Sequence, residues 1–213
     1  MALSHEELMR RIYQPRDTQE LRQSYDIWAD DYDDDIARQE YRLPGIITAL
    51  MARHVTTGAG TILDAGAGTG LLGEWLSLAG FGDLLALDMS PGMLEHAACR
   101  GVYSGVQTGE LGRPIDLPDG RFAAVASAGA FGITHAPASG FREMVRLTRE
   151  GGHLVLSVRL EGMDEGGFEE EARDLETEGL VRRIESAGPL EAFAGDANSL
   201  YVVWVFLRLR GQA

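Results

Sequence analysis

Ile62-Leu63-Asp64-Ala65-Gly66-Ala67-Gly68-Thr69-Gly70 is the stretch that decides the fold of this chain of 213 residues. A short apolar run ends at an acid, passes through three alternating glycines, and opens into Leu71–Leu78, which has helical spacing. Glycines at such a turn let the backbone bend sharply and approach a ligand closely. Leu84–Asp88 follows as a second apolar run, so a second acid ends the next strand. Strand, glycine loop, helix, strand and acid in that order carry far more information than a glycine pattern alone.

The ligand is narrowed by two departures from the dinucleotide pattern. Leu71 stands where a third glycine would be required, and Asp64 stands two residues before the first glycine. A carboxylate there is poorly placed beside a pyrophosphate. It suits a cationic end, such as the ammonium of the methionine part of S-adenosylmethionine, so electrostatics favour that cofactor over NAD. Asp88 is placed to accept hydrogen bonds from both hydroxyls of a ribose. Glu110, just after a weak third strand, reads either as an acceptor for an adenine amino group, with the Leu111 backbone beside it, or as a solvated surface acid.

Outward from the loop, the alternation is regular. Pro91–Arg100 reads as a helix with Ser90 as its N-cap, Ser104–Thr108 as a strand, Phe122–Ser127 as a strand, Ala138–Thr148 as a helix and Gly152–Arg159 as a strand. Strands alternating with helices predict a parallel sheet covered on both faces. Glu169–Glu178 reads as a helix, and Leu180–Glu185 and Leu200–Leu209 as an antiparallel pair at the sheet edge. Before the loop, residues 1–38 read as helical and Arg42–Val55 as a helix. Tyr25, Trp28 and Tyr32 fall three and four apart on one helix face. They read as a cover over the cofactor, where an aromatic face attracts a sulfonium, or as a stripe packed on the core. Trp28 leans to packing and Tyr32 to cofactor contact. The acids of 30–35 read as a solvated face.

Composition sets outer limits. Nineteen basic against 33 acidic residues give a net charge of −14, a field that repels nucleic acid and anionic membranes. The expectation is therefore a small-molecule substrate, with no nucleic-acid and no membrane partner, and with monomer and homodimer both open. All the basic residues are arginine, which excludes Schiff-base chemistry and a P-loop lysine. Cys99 is the only cysteine and no histidines pair with carboxylates at ligand spacing, so neither a disulfide framework nor a metal site is expected. No apolar run approaches the roughly 20 residues of a membrane helix, and the charged N-terminus fits a cytoplasmic location.

These segments, with Leu87-Asp88-Met89-Ser90-Pro91-Gly92-Met93-Leu94, Leu117–Phe122 and Gly151–Leu154, resemble the class I S-adenosylmethionine-dependent methyltransferases over about residues 60–160. Tyr25–Asp33 resembles the aromatic cap of that family. Ser127–Phe131 and His135-Ala136-Pro137 are similar to segments of its Williams–Beuren-region methyltransferase-like group. The resemblance implies a Rossmann-like α/β fold: a seven-stranded, mostly parallel sheet with helices on both faces and the last strand antiparallel. It implies one domain over 1–213, with a helical cap at 1–45 and the core at 46–213. Asp64, Gly66 and Gly68 would line the methionine end, Asp88 would hold the ribose, Met89 would lie beside the adenine and Glu110 would read its edge. The full set expected around the cofactor adds Tyr25, Trp28, Tyr32, Ala65, Gly70, Met93, Leu111 and Ser127. Two positions depart from the family: Glu110 replaces a frequent aspartate, and Ala123-Ala124 replace a frequent acid after Phe122.

The implied activity is methyl transfer to oxygen or nitrogen of a small-molecule acceptor, with S-adenosylhomocysteine as product. His135, in the loop after the fourth strand, is the candidate base, its ordinary pKa of about 6.5 suiting that task; it reads otherwise as a loop histidine with no role or one that only lines the pocket. The alternative is an enzyme of the same fold that binds S-adenosylmethionine but catalyses a cyclisation or rearrangement. A non-enzymatic binding module is disfavoured by the intact Asp64, glycine loop and Asp88.

Overall fold

The computed structural model describes residues 3–210. Its elements, in chain order, are α1 (His5–Tyr13), α2 (Thr18–Arg38), α3 (Leu43–His54), β1 (Ile62–Ala65), α4 (Leu71–Leu78), β2 (Leu84–Asp88), α5 (Pro91–Cys99), β3 (Gly105–Thr108), β4 (Phe122–Phe131), α6 (Gly140–Leu147), β5 (Thr148–Arg159), α7 (Phe168–Thr177), β6 (Val181–Glu191) and β7 (Leu200–Arg208). The seven strands form one sheet in the order β3-β2-β1-β4-β5-β7-β6. β1 pairs in parallel with both β2 and β4, and β7 runs antiparallel to β5 and β6. The expected Rossmann-like sheet is therefore present, with its last strand antiparallel.

Burial on two faces explains the apolar runs. Leu63, Val125, Leu154, Leu156, Trp204 and Phe206 pack with α6 and α7 on one side. Their neighbours Ile62, Ala124, Val155, Val203 and Val205 pack with α3 and α4 on the other. Adjacent residues of one strand thus belong to different clusters, as the two-residue period of a strand requires. Ala123 and Ala124 are both buried here, so the small residues after Phe122 serve close packing.

Three boundaries need detail. Residues 3–38 are helical, as expected, but in two pieces: the chain breaks at 14–17, where Pro15 cannot donate the helical hydrogen bond. Each piece starts on its own cap, Ser4 accepting from Glu7 N at 3.2 Å and Asp17 from Glu20 N at 2.8 Å. Met1 and Ala2 lie outside the described residues. β4 continues past Ser127 to Phe131; Ser127 pairs with Leu156 but Phe131 with Val158, so the strand bulges at Ala128–Ala130. Gly129 has a φ of +76° there, which hides the alternation from a sequence reading. β6 runs on to Glu191 through two irregularities, and as an edge strand it lacks the apolar signal of the inner ones. Within the range expected as a cap, the described residues hold α1 and α2. α3 begins inside that range, at Leu43, yet packs on the sheet.

Candidate functional site

The sheet changes direction of winding at β1, whose neighbours β2 and β4 leave on opposite sides, and ligands of such sheets sit beyond the carboxyl ends at that point. A cavity of about 480 Å³ lies there, within the range of roughly 300–1,000 Å³ usual for small-ligand sites. Gly66 and Gly68 from the loop, Asp88 and Met89 from the end of β2, Met93 from α5, and Glu110 and Leu111 after β3 line it. Tyr25 and Tyr32 reach it from α2 and His135 from the loop after β4. Ten of the residues expected at the site thus meet around one cavity.

Gly66 and Gly68 both have positive φ. A Cβ on Gly66 would stand 2.5 Å from the Ala130 methyl, so no larger residue fits. A Cβ on Gly68 would meet nothing within 4 Å; its space is the cavity itself. Asp88 accepts hydrogen bonds from Gly68 N and Ser90 N, both at 2.9 Å, which ties the loop to the start of α5. Burial pushes the Asp88 carboxyl above its ordinary value, against the pull of these N–H groups.

Asp64 stands behind the loop rather than on the cavity wall and is fully buried. Its Oδ2 accepts from Tyr103 Oη at 2.6 Å, and its Oδ1 has no hydrogen-bond partner. Burial pushes its pKa up to about 7, with the Tyr103 bond opposing and the Asp88 charge adding to the rise. An unpartnered carboxylate oxygen beneath a glycine loop is a cation-seeking feature.

Four other expected residues are also off the wall, each for a packing reason. Trp28 is buried against Leu8, Ile12 and Ile36, donates to Asp35 Oδ2 at 2.9 Å, and packs on Tyr25 and Tyr32 with ring centroids 6.2 and 4.7 Å away. It buttresses the two tyrosines. Ala65 is core, Gly70 begins α4 packed against Tyr103, and Ser127 donates to Ala65 O at 2.7 Å beneath the loop.

His135 Nε2 lies 2.9 Å from Tyr25 Oη, and its Nδ1 lies 3.0 Å from Thr134 Oγ1. Burial, and then the Arg159 charge, pull its pKa down to about 4. The imidazole is neutral at physiological pH.

Several partners had no signal in sequence. Of the acids of 30–35, Asp30, Asp31 and Asp34 are exposed, as a solvated face requires, whereas Asp33 and Asp35 are engaged, as is Asp26 one turn earlier. Asp26 Oδ1 accepts from Ser90 Oγ at 2.6 Å and Gly92 N at 3.0 Å, and Asp33 bonds Thr69 Oγ1 at 2.6 Å and pairs with Arg100. They strap α2 over the glycine loop and α5. Ser90 Oγ also caps α5 through Met93 N at 3.1 Å. Ser90→Ala is expected to cost about 1–2 kcal/mol, read as a lower midpoint in urea unfolding with an unchanged slope. Tyr41 and Tyr103 are the remaining surprises; neither falls in a recognisable motif.

Among the described residues no group of three or more histidines, cysteines or acids is placed to hold a metal ion, and no helix is long and apolar enough to cross a membrane.

Residues 63–156 match the family model described as a methyltransferase domain. Methyltransferase-like protein 27 of Homo sapiens is 36% identical over 138 residues, which is 63% of this chain and 56% of that protein. The 18S rRNA (guanine-N(7))-methyltransferase of Bos taurus is 39% identical over 69 residues, 32% of this chain and 24% of that protein. The chain's match therefore spans about half, or less, of these relatives' length. Among solved structures, one chain of the complex between the Haloferax volcanii Trm112 methyltransferase activator and a methyltransferase superposes with a TM-score of 0.67 at 16% identity, covering 90% of this chain and 99% of that one. The [4+2]-cyclase SpnF superposes with a TM-score of 0.68 at 15% identity, covering 91% and 97%.

These matches overturn the expectation drawn from net charge, a small-molecule partner with nucleic acid excluded. A relative named for ribosomal RNA shares sequence with this chain, and a similar fold is seen with a protein activator. Net charge is a sum over the surface, whereas binding depends on the local field at the site.

Proposed function

We propose that the chain is an S-adenosylmethionine-dependent methyltransferase, on the match of residues 63–156 to a methyltransferase domain, that its main cavity binds S-adenosylmethionine, and that an oxygen or nitrogen nucleophile is methylated beside Tyr25 and His135. The observation that carries this is the meeting of Gly66, Gly68, Asp88 and Met89 around one cavity, with Tyr25 and His135 on its other side. The residues suit the cofactor. Gly68 leaves open space where a side chain would stand, Asp64 offers an unpartnered oxygen for a cation, and Asp88 offers acceptors for a diol.

The cofactor, when bound, supplies an electrophilic methyl on a positively charged sulfur. The chain's own groups do the rest. Asp88 orients the ribose, Asp64 holds the electrostatic balance at the methionine end, and Tyr32 covers the cavity from α2 and limits water. In the tautomer that carries its proton on Nδ1, His135 donates to Thr134 Oγ1 and its Nε2 accepts from Tyr25 Oη. This leaves the Tyr25 oxygen free to accept a hydrogen bond from the acceptor. A base of pKa about 4 is weak, but a methylated oxygen that still carries its proton is a strong acid, so a weak base suffices for an oxygen acceptor, while a methylated amine needs no base and loses its proton to solvent after release.

His135→Gln is expected to lower kcat by about tenfold, less than the usual share of a general base, with cofactor affinity unchanged. Because the histidine is neutral above about pH 4, the wild-type rate should show no inflection from this group between about pH 5 and 8. A rate step near 6.5 that vanishes in the variant would contradict this assignment.

A second reading, a non-methylating reaction on the bound cofactor, is supported by the likeness of the fold to a [4+2]-cyclase. The deciding experiment supplies cofactor labelled in the methyl group with separated small-molecule, RNA and protein fractions of a cell extract. Methylation requires label in one fraction and S-adenosylhomocysteine in equal amount. Cofactor binding without S-adenosylhomocysteine from any fraction favours the second reading.

A further inference from the structure

A second cavity, of about 220 Å³, adjoins the first, and the two share Gly129 and His135 in their walls. The junction has no room for a side chain: a Cβ on Gly129 would stand 2.5 Å from the Tyr41 hydroxyl. The β4 bulge re-aims the backbone here, so that Gly129 borders both cavities. Phe131 and Ile133 give the second cavity an apolar side, and Tyr13 and Tyr201 give it an aromatic one.

Its one cation is Arg159, at the end of β5. The guanidinium lies over the Tyr13 ring at 5.8 Å, and Nη2 pairs with Glu161 at 2.5 Å. Glu161 is 70% exposed whereas Arg159 is 24% exposed, so the pair is screened by water on the acid's side and worth little. Arg159 Nε is buried and has no hydrogen-bond partner. A donor left in that state costs free energy, and guanidinium cannot shed its proton to relieve it. The positive charge is felt inside the cavity: it adds to the lowering that burial gives His135 and opposes the rise that burial gives Tyr201.

We infer that the second cavity is the acceptor subsite and that Arg159 anchors a carboxylate of the acceptor there, with the acceptor's hydroxyl or amine directed past Gly129 to Tyr25. This rests on the cofactor reading above. A carboxylate fits better than a phosphate. The cavity offers a single guanidinium, already shared with Glu161, and a planar monoanion matches its fork, whereas a phosphate would face the nearby acid with a larger charge. In the transfer, the acceptor atom bonds to the methyl carbon as the sulfur–methyl bond breaks, its electron pair staying on sulfur. A hydroxyl acceptor's proton passes to Tyr25 Oη as the Tyr25 proton moves to His135 Nε2.

The test measures binding of benzoate and of benzamide, by calorimetry, to the full chain loaded with S-adenosylhomocysteine. A short peptide ending in tyrosine, with a free or an amidated C-terminus, is run beside them. Wild type is expected to bind a carboxylate form and not its amide. Arg159→Met should weaken that binding by about tenfold or more, and Glu161→Gln, which releases the guanidinium, should strengthen it several-fold. S-adenosylhomocysteine affinity should be the same in all three proteins. Binding of benzoate assigns the carboxylate to a free acid, and binding of the free-ended peptide alone assigns it to a protein terminus. The inference is overturned if wild type binds neither carboxylate, or if acid and amide bind alike, or if Glu161→Gln leaves affinity unchanged. Failure of wild type to bind S-adenosylhomocysteine would overturn the cofactor reading instead, and this inference with it.

Discussion

Asp88→Ala is expected to weaken S-adenosylmethionine binding by about 100-fold or more, the largest loss from any single side chain of the site. The carboxylate does two things at once. It faces the cavity at the end of β2, where ribose hydroxyls would donate to it, and it accepts from Gly68 N and Ser90 N. Each hydrogen bond to a charged acceptor is worth about 1.5–3 kcal/mol, so losing two from the ligand alone accounts for the fold-change. The same substitution orphans two backbone donors, and the glycine loop should loosen with a measurable fall in Tm. Asp88→Asn, which retains one acceptor, separates the effects: its Tm should recover more than its affinity. Equal cofactor affinity in Asp88→Ala and wild type would remove Asp88 from the site.

Asp64→Asn is expected to weaken cofactor binding by a comparable factor at pH 8 and to abolish its pH dependence. Burial raises the folded-state pKa of Asp64 to about 7, above the ordinary carboxylate value of about 4. Between those values the folded chain holds a proton that the unfolded chain has lost, so the residue's contribution to stability falls as pH rises from about 4 to about 7. Ionised Asp64 therefore burdens the ligand-free protein at neutral pH, and the positive end of the cofactor relieves it. Wild-type affinity should rise toward pH 8, steepest below pH 7 at up to about tenfold per unit. Calorimetry below pH 7 in buffers of different ionisation enthalpy should register release of a proton on binding. The asparagine can still accept from Tyr103 Oη, so Asp64→Asn should be more stable than wild type above pH 7 while binding more weakly. A variant that binds as tightly as wild type, with the same proton release, would show that Asp64 is only a packing residue.

Legibility in the sequence followed the strength of local chemistry. The loop at 62–70 and the acid at 88 were legible because glycines with positive φ and a strand-ending carboxylate have few other uses. The inner strands were legible because burial on both faces leaves continuous apolar runs. Gly129 concealed the end of β4, and the edge position of β6 concealed its length. The aromatic stripe of α2 was legible both as a stripe and in its division of labour: Trp28 leans to packing and Tyr32 to the cavity, and Tyr25 and Tyr32 face the cavity while Trp28 braces them. What escaped entirely depends on long-range pairing. Asp33 and Arg100 are far apart in sequence and meet on the glycine loop. Tyr103 reaches back across the sheet to Asp64. Arg159 gains significance only because β5 ends where the β4 loop returns. Nor did the net charge of −14 carry the partner reading placed on it, because a sum over the surface holds no information about one cavity.

The central claim is that the cavity between the glycine loop and α2 is an S-adenosylmethionine site. Calorimetric titration of the chain with S-adenosylmethionine at pH 8, repeated with Asp88→Ala, tests it most directly. One-site binding of micromolar strength is expected in wild type, displaced by S-adenosylhomocysteine and lost in the variant. Absence of binding by either compound, with no rise in Tm on their addition to wild type, would contradict it.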